Sequence, residues 1–121
     1  MCGIIAVVRR PGARTAPAAD AITRPLHDAV AALAGDRPLA EVCHEAAALV
    51  ESADALLRGA PGVHALVHDR RLLAEVEGTA ATLSEALRSI EARLDAGLEG
   101  DGDPAAVEAV NAAGVRLKDA V

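Results

Sequence analysis

The chain has 121 residues and a formal net charge of −6, from 12 Lys and Arg against 18 Asp and Glu. This length suits one small domain. Because the balance is acidic and Lys118 is the single lysine, we expect no basic patch for phosphates or anionic lipid headgroups, which argues against nucleic acid and membrane partners. It contains 30 alanines and no Phe, Tyr or Trp, so any core must be aliphatic.

The first residues predict a β-strand. An apolar run, Ile4-Ile5-Ala6-Val7-Val8, is followed by the turn signal Arg9-Arg10-Pro11-Gly12, and we assign residues 1–10 to this strand segment. The run is too short for a signal peptide or a membrane span, so we expect a cytoplasmic protein. A lone strand leaves its backbone polar groups unpaired, and no second strand is predicted here, so we expect a sheet completed by further polypeptide.

Residues 18–121 predict an Ala-rich bundle of near-antiparallel helices, with links at 35–37, 59–62 and 97–103. Pro38 and Asp103-Pro104 mark helix starts, and Gly59 marks a helix end. Gly78 interrupts one predicted helix, around residues 70–96, at a point where it can bend. Apolar or small residues recur at heptad spacing. These predicted inward positions are Leu39, Val42, Ala46, Leu49, Ala53 and Leu56, then Leu73, Val76, Ala80, Leu83, Leu87, Ile90 and Leu94, then Val107, Val110, Gly114, Leu117 and Val121.

Two features suggest that the chain is part of a longer polypeptide. The strand at the start lacks a partner, and the last predicted helix still carries an inward residue at Val121 with no capping residue after it. We therefore expect residues 18–121 to be a helical insertion that continues beyond this chain.

The opening Met1-Cys2-Gly3-Ile4-Ile5-Ala6 carries the best chemical signal. Removal of Met1 would place an α-amino group and a thiol on the same residue. The two groups have ordinary pKa values close enough for the amine to accept the thiol proton near neutral pH. Cys2 would then supply both the nucleophile and the general base.

This opening resembles that of the class II glutamine amidotransferases, the N-terminal nucleophile hydrolases, and most of all the glutamine–fructose-6-phosphate aminotransferase family. Asparagine synthetase, amidophosphoribosyltransferase and glutamate synthase share it. The resemblance implies an αββα domain in which the N-terminal Cys attacks the glutamine amide, forms a thioester and releases ammonia. It further implies that the ammonia passes through a channel to a sugar phosphate, and it implies no cofactor.

The resemblance covers about the first eight residues, and only Cys2 is transferred as a catalytic residue. Members of the family carry an Arg-Gly-x-Asp-Ser stretch, whereas this chain has Arg58-Gly59-Ala60-Pro61-Gly62. The family's oxyanion hole uses an Asn-Gly pair, but the single asparagine here is Asn111, followed by Ala112. Without that pocket the isolated chain is expected to be catalytically silent. The alternative is a non-catalytic helical module that docks on a partner helix or on itself, with the first strand extending another protein's sheet.

Other polar groups predict no further site. His64 and His68 are one helical turn apart and could hold a metal with Cys43 or His44 as a further ligand, but no second Cys lies near Cys43. We therefore expect surface histidines beside Asp69 and no metal site. We expect Cys43 itself to be a small buried or flanking apolar residue. The remaining charged groups are interpreted as solvated: Glu99, Asp101 and Asp103 as a linker, and Arg9-Arg10 and Arg70-Arg71 as flanking pairs.

Overall fold

In the computed structural model, which describes residues 15–96 and 104–120, the chain forms five helices. The prediction of a mainly helical fold is confirmed, and the described residues contain no strand. The predicted strand of residues 1–10 lies outside the described residues, as does Val121. The helices are α1 (Ala19–Leu33), α2 (Leu39–Leu57), α3 (Ala60–His68), α4 (Arg70–Asp95) and α5 (Pro104–Ala120).

Helix α2 is the centre of the packing. It makes the two most extensive helix–helix contacts of the described chain, one with α1 and one with α5. The short link of residues 34–38 joins α1 to α2 as a helical hairpin. Helix α4 packs mainly against α1, and α3 bridges α2 and α4. The contact between α4 and α5 is small, so the bundle is held together chiefly through α1 and α2.

The core is aliphatic, as the composition predicts. Its largest fully buried side chains belong to Ile22, Leu83, Leu117, Val42 and Cys43. Between these, alanines fill the helix interfaces, and alanine side chains allow two helix backbones to approach closely. The fully or almost fully buried alanines are Ala29 on α1 and Ala46, Ala47 and Ala53 on α2.

The buried face of α2 is wider than the predicted heptad seam. Cys43, Ala47 and Val50 are buried although they lie beside the seam, whereas Leu56, a predicted inward residue, is 38% exposed. The reason is that α2 packs against two helices at once, and a helix with two neighbours buries more than a single narrow stripe.

The first half of α4 buries different residues from those predicted. Leu72 and Thr79 are buried where the heptad indicates Leu73 and Ala80, and the two patterns coincide from Leu83 onward. The residues that face the core are spaced by four, three, four, four, three and four, which is closer to the 3.6-residue turn of a straight helix than to the 3.5 of a heptad. In the first half of α4 the heptad prediction is therefore wrong at Leu73 and Ala80 and right at Val76. The core-facing residues are Leu72, Val76, Thr79, Leu83, Leu87, Ile90 and Leu94.

The predicted link at residues 59–62 is wrong, because α3 already begins at Ala60. Pro61 stands in its first turn, where a missing N–H costs nothing. The boundary between two helices lies instead at Asp69. Its Oδ1 accepts hydrogen bonds from the backbone N–H groups of Arg71 at 2.9 Å and Leu72 at 3.1 Å. Asp69 is thus the N-cap of α4, and it ends α3 by starting the next helix.

Two glycines have opposite surroundings. Gly62 packs so closely on the end of α2 that a Cβ atom built on it would lie 2.2 Å from the carbonyl oxygen of Leu57. Gly78 lies inside α4, which continues through it, and a Cβ there would meet no atom within 4 Å. Only the first glycine is required by packing.

Leu83 and Leu73 distinguish the observed face of α4 from the heptad, since the heptad places both inward. Leu83 is 1% exposed and Leu73 is 37% exposed. We expect Leu83→Ala to lower the free energy of unfolding by about 2–5 kcal/mol and Leu73→Ala by about 1 kcal/mol or less. Urea unfolding followed by far-UV circular dichroism measures both. Equal losses for the two variants would contradict the structure.

Replacing each glycine by alanine should change stability in opposite directions. Gly62→Ala forces α3 away from Leu57 and is expected to cost about 1–3 kcal/mol. Gly78→Ala adds a methyl group in open space and removes backbone freedom from the unfolded chain, so we expect a gain of about 1 kcal/mol. Thermal and urea unfolding of the two variants provide the test, and a destabilised Gly78→Ala protein would show that the space beside α4 is filled.

Candidate functional site

The residue predicted to be catalytic, Cys2, lies outside the described residues, so the structure gives it no surroundings. The second cysteine, Cys43, is fully buried. It belongs to a small core cluster with Ile90 and Ala113, where burial raises the pKa of its thiol. A buried thiol that resists ionisation is a poor nucleophile. The prediction that Cys43 is a small buried residue is confirmed.

Arg58, the arginine of the Arg58-Gly59 pair, is engaged at the end of α2. Its Nε donates to Asp54 Oδ2 at 2.5 Å, one turn earlier on the same helix. That hydrogen bond, together with the attraction of the Asp54 carboxylate, raises the pKa of Arg58. Gly59 follows with φ 82°, the left-handed region that glycine adopts easily, and turns the chain into α3. Arg58 therefore forms a local charge pair with Asp54, and no Asp-Ser pair follows it in the sequence.

A cluster of three polar side chains joins α2 to α5. Arg116 donates to both carboxylate oxygens of Glu51, from Nε to Oε1 at 2.8 Å and from Nη2 to Oε2 at 2.7 Å. Its Nη1 lies 3.0 Å from Nδ1 of His44. The arginine has no acceptor atom, so it is the donor to the ring nitrogen. This fork-to-fork geometry fixes the position of α5 on α2.

The Arg116–Glu51 pair shifts both groups toward their charged forms. The pKa of Glu51 lies below its ordinary value of 4.5, first because Arg116 donates hydrogen bonds to it and then because of the positive charge itself. The same hydrogen bonds raise the pKa of Arg116. Both side chains remain more than a third exposed, so solvent screens the attraction between them. The main effect of the pair is therefore to fix the position of α5 along α2.

Two open grooves flank the helix pairs. One, of about 410 Å³, lies between α1 and α4, and its lining includes His27 and Glu75, with 3.3 Å between Nε2 and Oε1. Small residues, among them Ala31 and Gly78, form much of its wall. The other groove, of about 500 Å³, lies between α2 and α5 and includes Glu51, Arg58 and Arg116. Neither contains a cysteine.

The structure separates the groups that a metal site with three or four protein ligands would need. His64 and His68 are exposed on α3, Cys43 is buried between helices, and His44 faces Arg116. Among residues 15–96 and 104–120, no three potential ligands are close enough to surround one metal ion. The described helices also include none with the length and apolar character of a membrane span. Arg70 and Arg71 are exposed at the start of α4, as predicted.

Two polar features were missed by the sequence interpretation. The Arg116–Glu51–His44 cluster joins residues that are 65 and 72 positions apart, and no local pattern indicates such a contact. Asp69 did carry a signal, because Asp directly before a helical stretch is a preferred N-cap. The predicted helix around residues 70–96 begins where α4 does, and the sequence interpretation lacks only the assignment of Asp69 as its cap.

Comparisons of the chain with protein-family models, with curated proteins and with solved structures find no match.

The pairing of Arg116 with Glu51 should make stability depend on acid. A carboxyl group whose pKa is lowered by folding stabilises the protein above its ordinary pKa, and this contribution is lost as pH falls through the lower folded value. We therefore expect Arg116→Gln to lower the urea midpoint at about pH 7 and to differ less from the unmodified chain at about pH 3. Arg70→Gln, which removes one exposed charge elsewhere, is the control. A pH-independent difference for Arg116→Gln would contradict the role of Glu51.

Proposed function

We propose that this chain is the N-terminal part of a glutamine-dependent aminotransferase in which Cys2, after removal of Met1, is the nucleophile. The observation that carries the proposal is the opening Met1-Cys2-Gly3-Ile4-Ile5-Ala6, with cysteine in the one position where a single residue offers both a thiol and an α-amine. The amide nitrogen of glutamine would be transferred, as ammonia, to a sugar phosphate. The strand of residues 1–10 would belong to an αββα domain.

The chemistry requires one proton to move through the terminal amine. The Cys2 thiol gives its proton to the α-amino group and the sulfur attacks the carboxamide carbon of glutamine. The amine then returns the proton to the departing nitrogen, so ammonia leaves and a γ-glutamyl thioester remains. Water hydrolyses the thioester to glutamate and restores the thiol. The cycle needs no metal or redox partner, so the proposal includes no cofactor.

The state of Cys43 supports Cys2 as the reactive thiol. Of the two cysteines in the chain, Cys43 is fully buried and its pKa is raised. A glutamine side chain has no route to its sulfur without opening the interface of α2 with its neighbours. Any thiol chemistry of this chain is therefore assigned to Cys2.

The helices would serve as an insertion after the first strand. Their polar groups, Arg58 and the Arg116 cluster, are paired within the helical part, and these pairs hold helix ends and helix interfaces. In this proposal the glutamine pocket and the oxyanion donors come from polypeptide outside this chain. An oxyanion donor is worth about 10²–10³ in turnover, so the chain alone is expected to be inactive.

A glutamine-analogue electrophile tests the proposal in the complete gene product. We expect a diazoketone analogue of glutamine to add to Cys2, with labelling abolished in Cys2→Ser and retained in the matched variant Cys43→Ala. Intact-mass and peptide mass spectrometry identify the modified residue, and excess glutamine should protect it. Glutaminase activity, measured as ammonia release, should disappear in Cys2→Ser alone.

Two results would overturn this function. One is the retention of Met1 on protein isolated from its own cells, because a blocked amine removes the base. The other is labelling of Cys2 that glutamine does not slow, since a merely accessible thiol reacts in the same way without a glutamine pocket.

The second candidate is a non-catalytic helical module that binds a partner helix or a second copy of the chain. Val63 and Val67 favour it, because they are one turn apart on α3 and are 55% and 68% exposed. Retained Met1 together with a stable complex that Val63→Ser/Val67→Ser weakens would support this candidate over the amidotransferase.

A further inference from the structure

His64 and His68 form a paired structure on the surface of α3. They lie four positions apart in a helix, so they share one face. Their imidazole rings stack with 3.9 Å between centroids and 11° between planes. Both residues are exposed, so the rings are held together by their positions on the helix and not by a surrounding core.

One hydrogen bond sets the chemical form of His68. Its Nδ1 lies 3.1 Å from the backbone carbonyl oxygen of His64. Because a carbonyl oxygen can only accept, Nδ1 carries the hydrogen and donates it. In the neutral ring, Nε2 then has the free lone pair that can bind a metal ion. An imidazole that donates from one nitrogen to a backbone carbonyl and presents the other nitrogen to solvent is the arrangement usual for histidines that bind metals.

From this arrangement we infer that His64 and His68 form a two-histidine chelate for a divalent transition metal such as Ni²⁺ or Zn²⁺. Imidazole nitrogen suits these ions, whereas Mg²⁺ and Ca²⁺ prefer oxygen ligands. Two histidines one helical turn apart on the same face are the pair through which helical zinc motifs hold their metal. This site uses the residues that the sequence interpretation assigned to a plain surface, and it is independent of Cys2.

Metal binding requires the two rings to leave their stacked arrangement. With metal–nitrogen bonds of about 2.0–2.1 Å, two nitrogen ligands on one ion lie about 2.9–3.4 Å apart. The rings now stack with 3.9 Å between centroids and 11° between planes, and the lone pair of each ligand nitrogen lies in the plane of its ring. Both rings must therefore rotate out of the stack to point at one ion, and solvent-exposed side chains can make this rotamer change. Because the described residues hold no group of three potential ligands, water completes the coordination. The site is therefore a surface chelate and not a closed structural zinc centre.

Metal binding should be linked to the helical state of α3. The two rings approach one ion only while residues 64 and 68 are one turn apart, so an ion that binds both stabilises this nine-residue helix. Helices of this length are marginal by themselves, and α3 otherwise depends on the buried contacts of Gly62 and Ala65. The chelate thus acts on the segment that connects α2 to α4.

The test is a titration of the full 121-residue chain, without an added histidine tag, in a Cys2→Ser background that removes the thiol as a competing ligand. Isothermal titration with Ni²⁺ and with Zn²⁺ is expected to give one site per chain, and Mg²⁺ none. His64→Gln and His68→Gln should each lower the affinity at least about ten-fold, because either change leaves a single ligand. The matched control is His27→Gln, an exposed histidine on α1, which should bind with unchanged affinity.

A second measurement guards against an effect of unfolding. In the His64→Gln and His68→Gln chains, the far-UV circular dichroism should match that of the parent, and in the parent Ni²⁺ should shift the ring proton resonances of His64 and His68 before those of His27 and His44. The inference is overturned if either single variant binds within two-fold of the parent, or if the four histidines respond together. Neither outcome affects the proposal for Cys2, because the titrated protein carries Cys2→Ser.

Discussion

The contact that organises this molecule is the packing of alanine faces around α2. With no aromatic side chain in the sequence, the core cannot be filled by a few large groups, and the helices must come close for dispersion contacts to be made. Ala46, Ala47 and Ala53 permit that approach because their side chains end at Cβ. As a result α2 packs against α1 and α5 at the same time, and α4 packs mainly against α1.

Polar interactions in the described residues fix positions that alanine packing leaves loosely defined. Small side chains make smooth helix surfaces, along which two helices can slide at little cost. The two-pronged hydrogen bonds between Arg116 and Glu51 set the register of α5 on α2. Asp69 sets the start of α4 by capping it. These groups are explained by their structural roles, and the amidotransferase proposal accordingly depends on Cys2 and not on the helices.

The sequence and the structure disagree mainly between residues 57 and 80, for a local reason. A heptad pattern assumes one partner face and a constant supercoil, but α4 follows a straighter course and buries Leu72 and Thr79. Pro61 and Gly62 suggest a link because both residues are common in turns. They are instead part of α3, since proline is tolerated in a first turn and glycine permits the close contact with α2. Neither the burial of Leu72 and Thr79 nor the contact of Gly62 with α2 can be predicted from the sequence pattern of one helix, because both depend on the neighbouring helices.

By itself the sequence determined the helical class, the aliphatic core, the ends of α2 and the start of α5, because helix propensity, capping and turn residues act over a few positions. It also singled out Cys2 as the candidate nucleophile, because its place directly after the initiator methionine can be read from the sequence. Tertiary structure alone decided which face of each helix is buried and which distant charges meet, as at Arg116 and Glu51. Those outcomes depend on which helices become neighbours, and that choice is made by the packing of the whole chain.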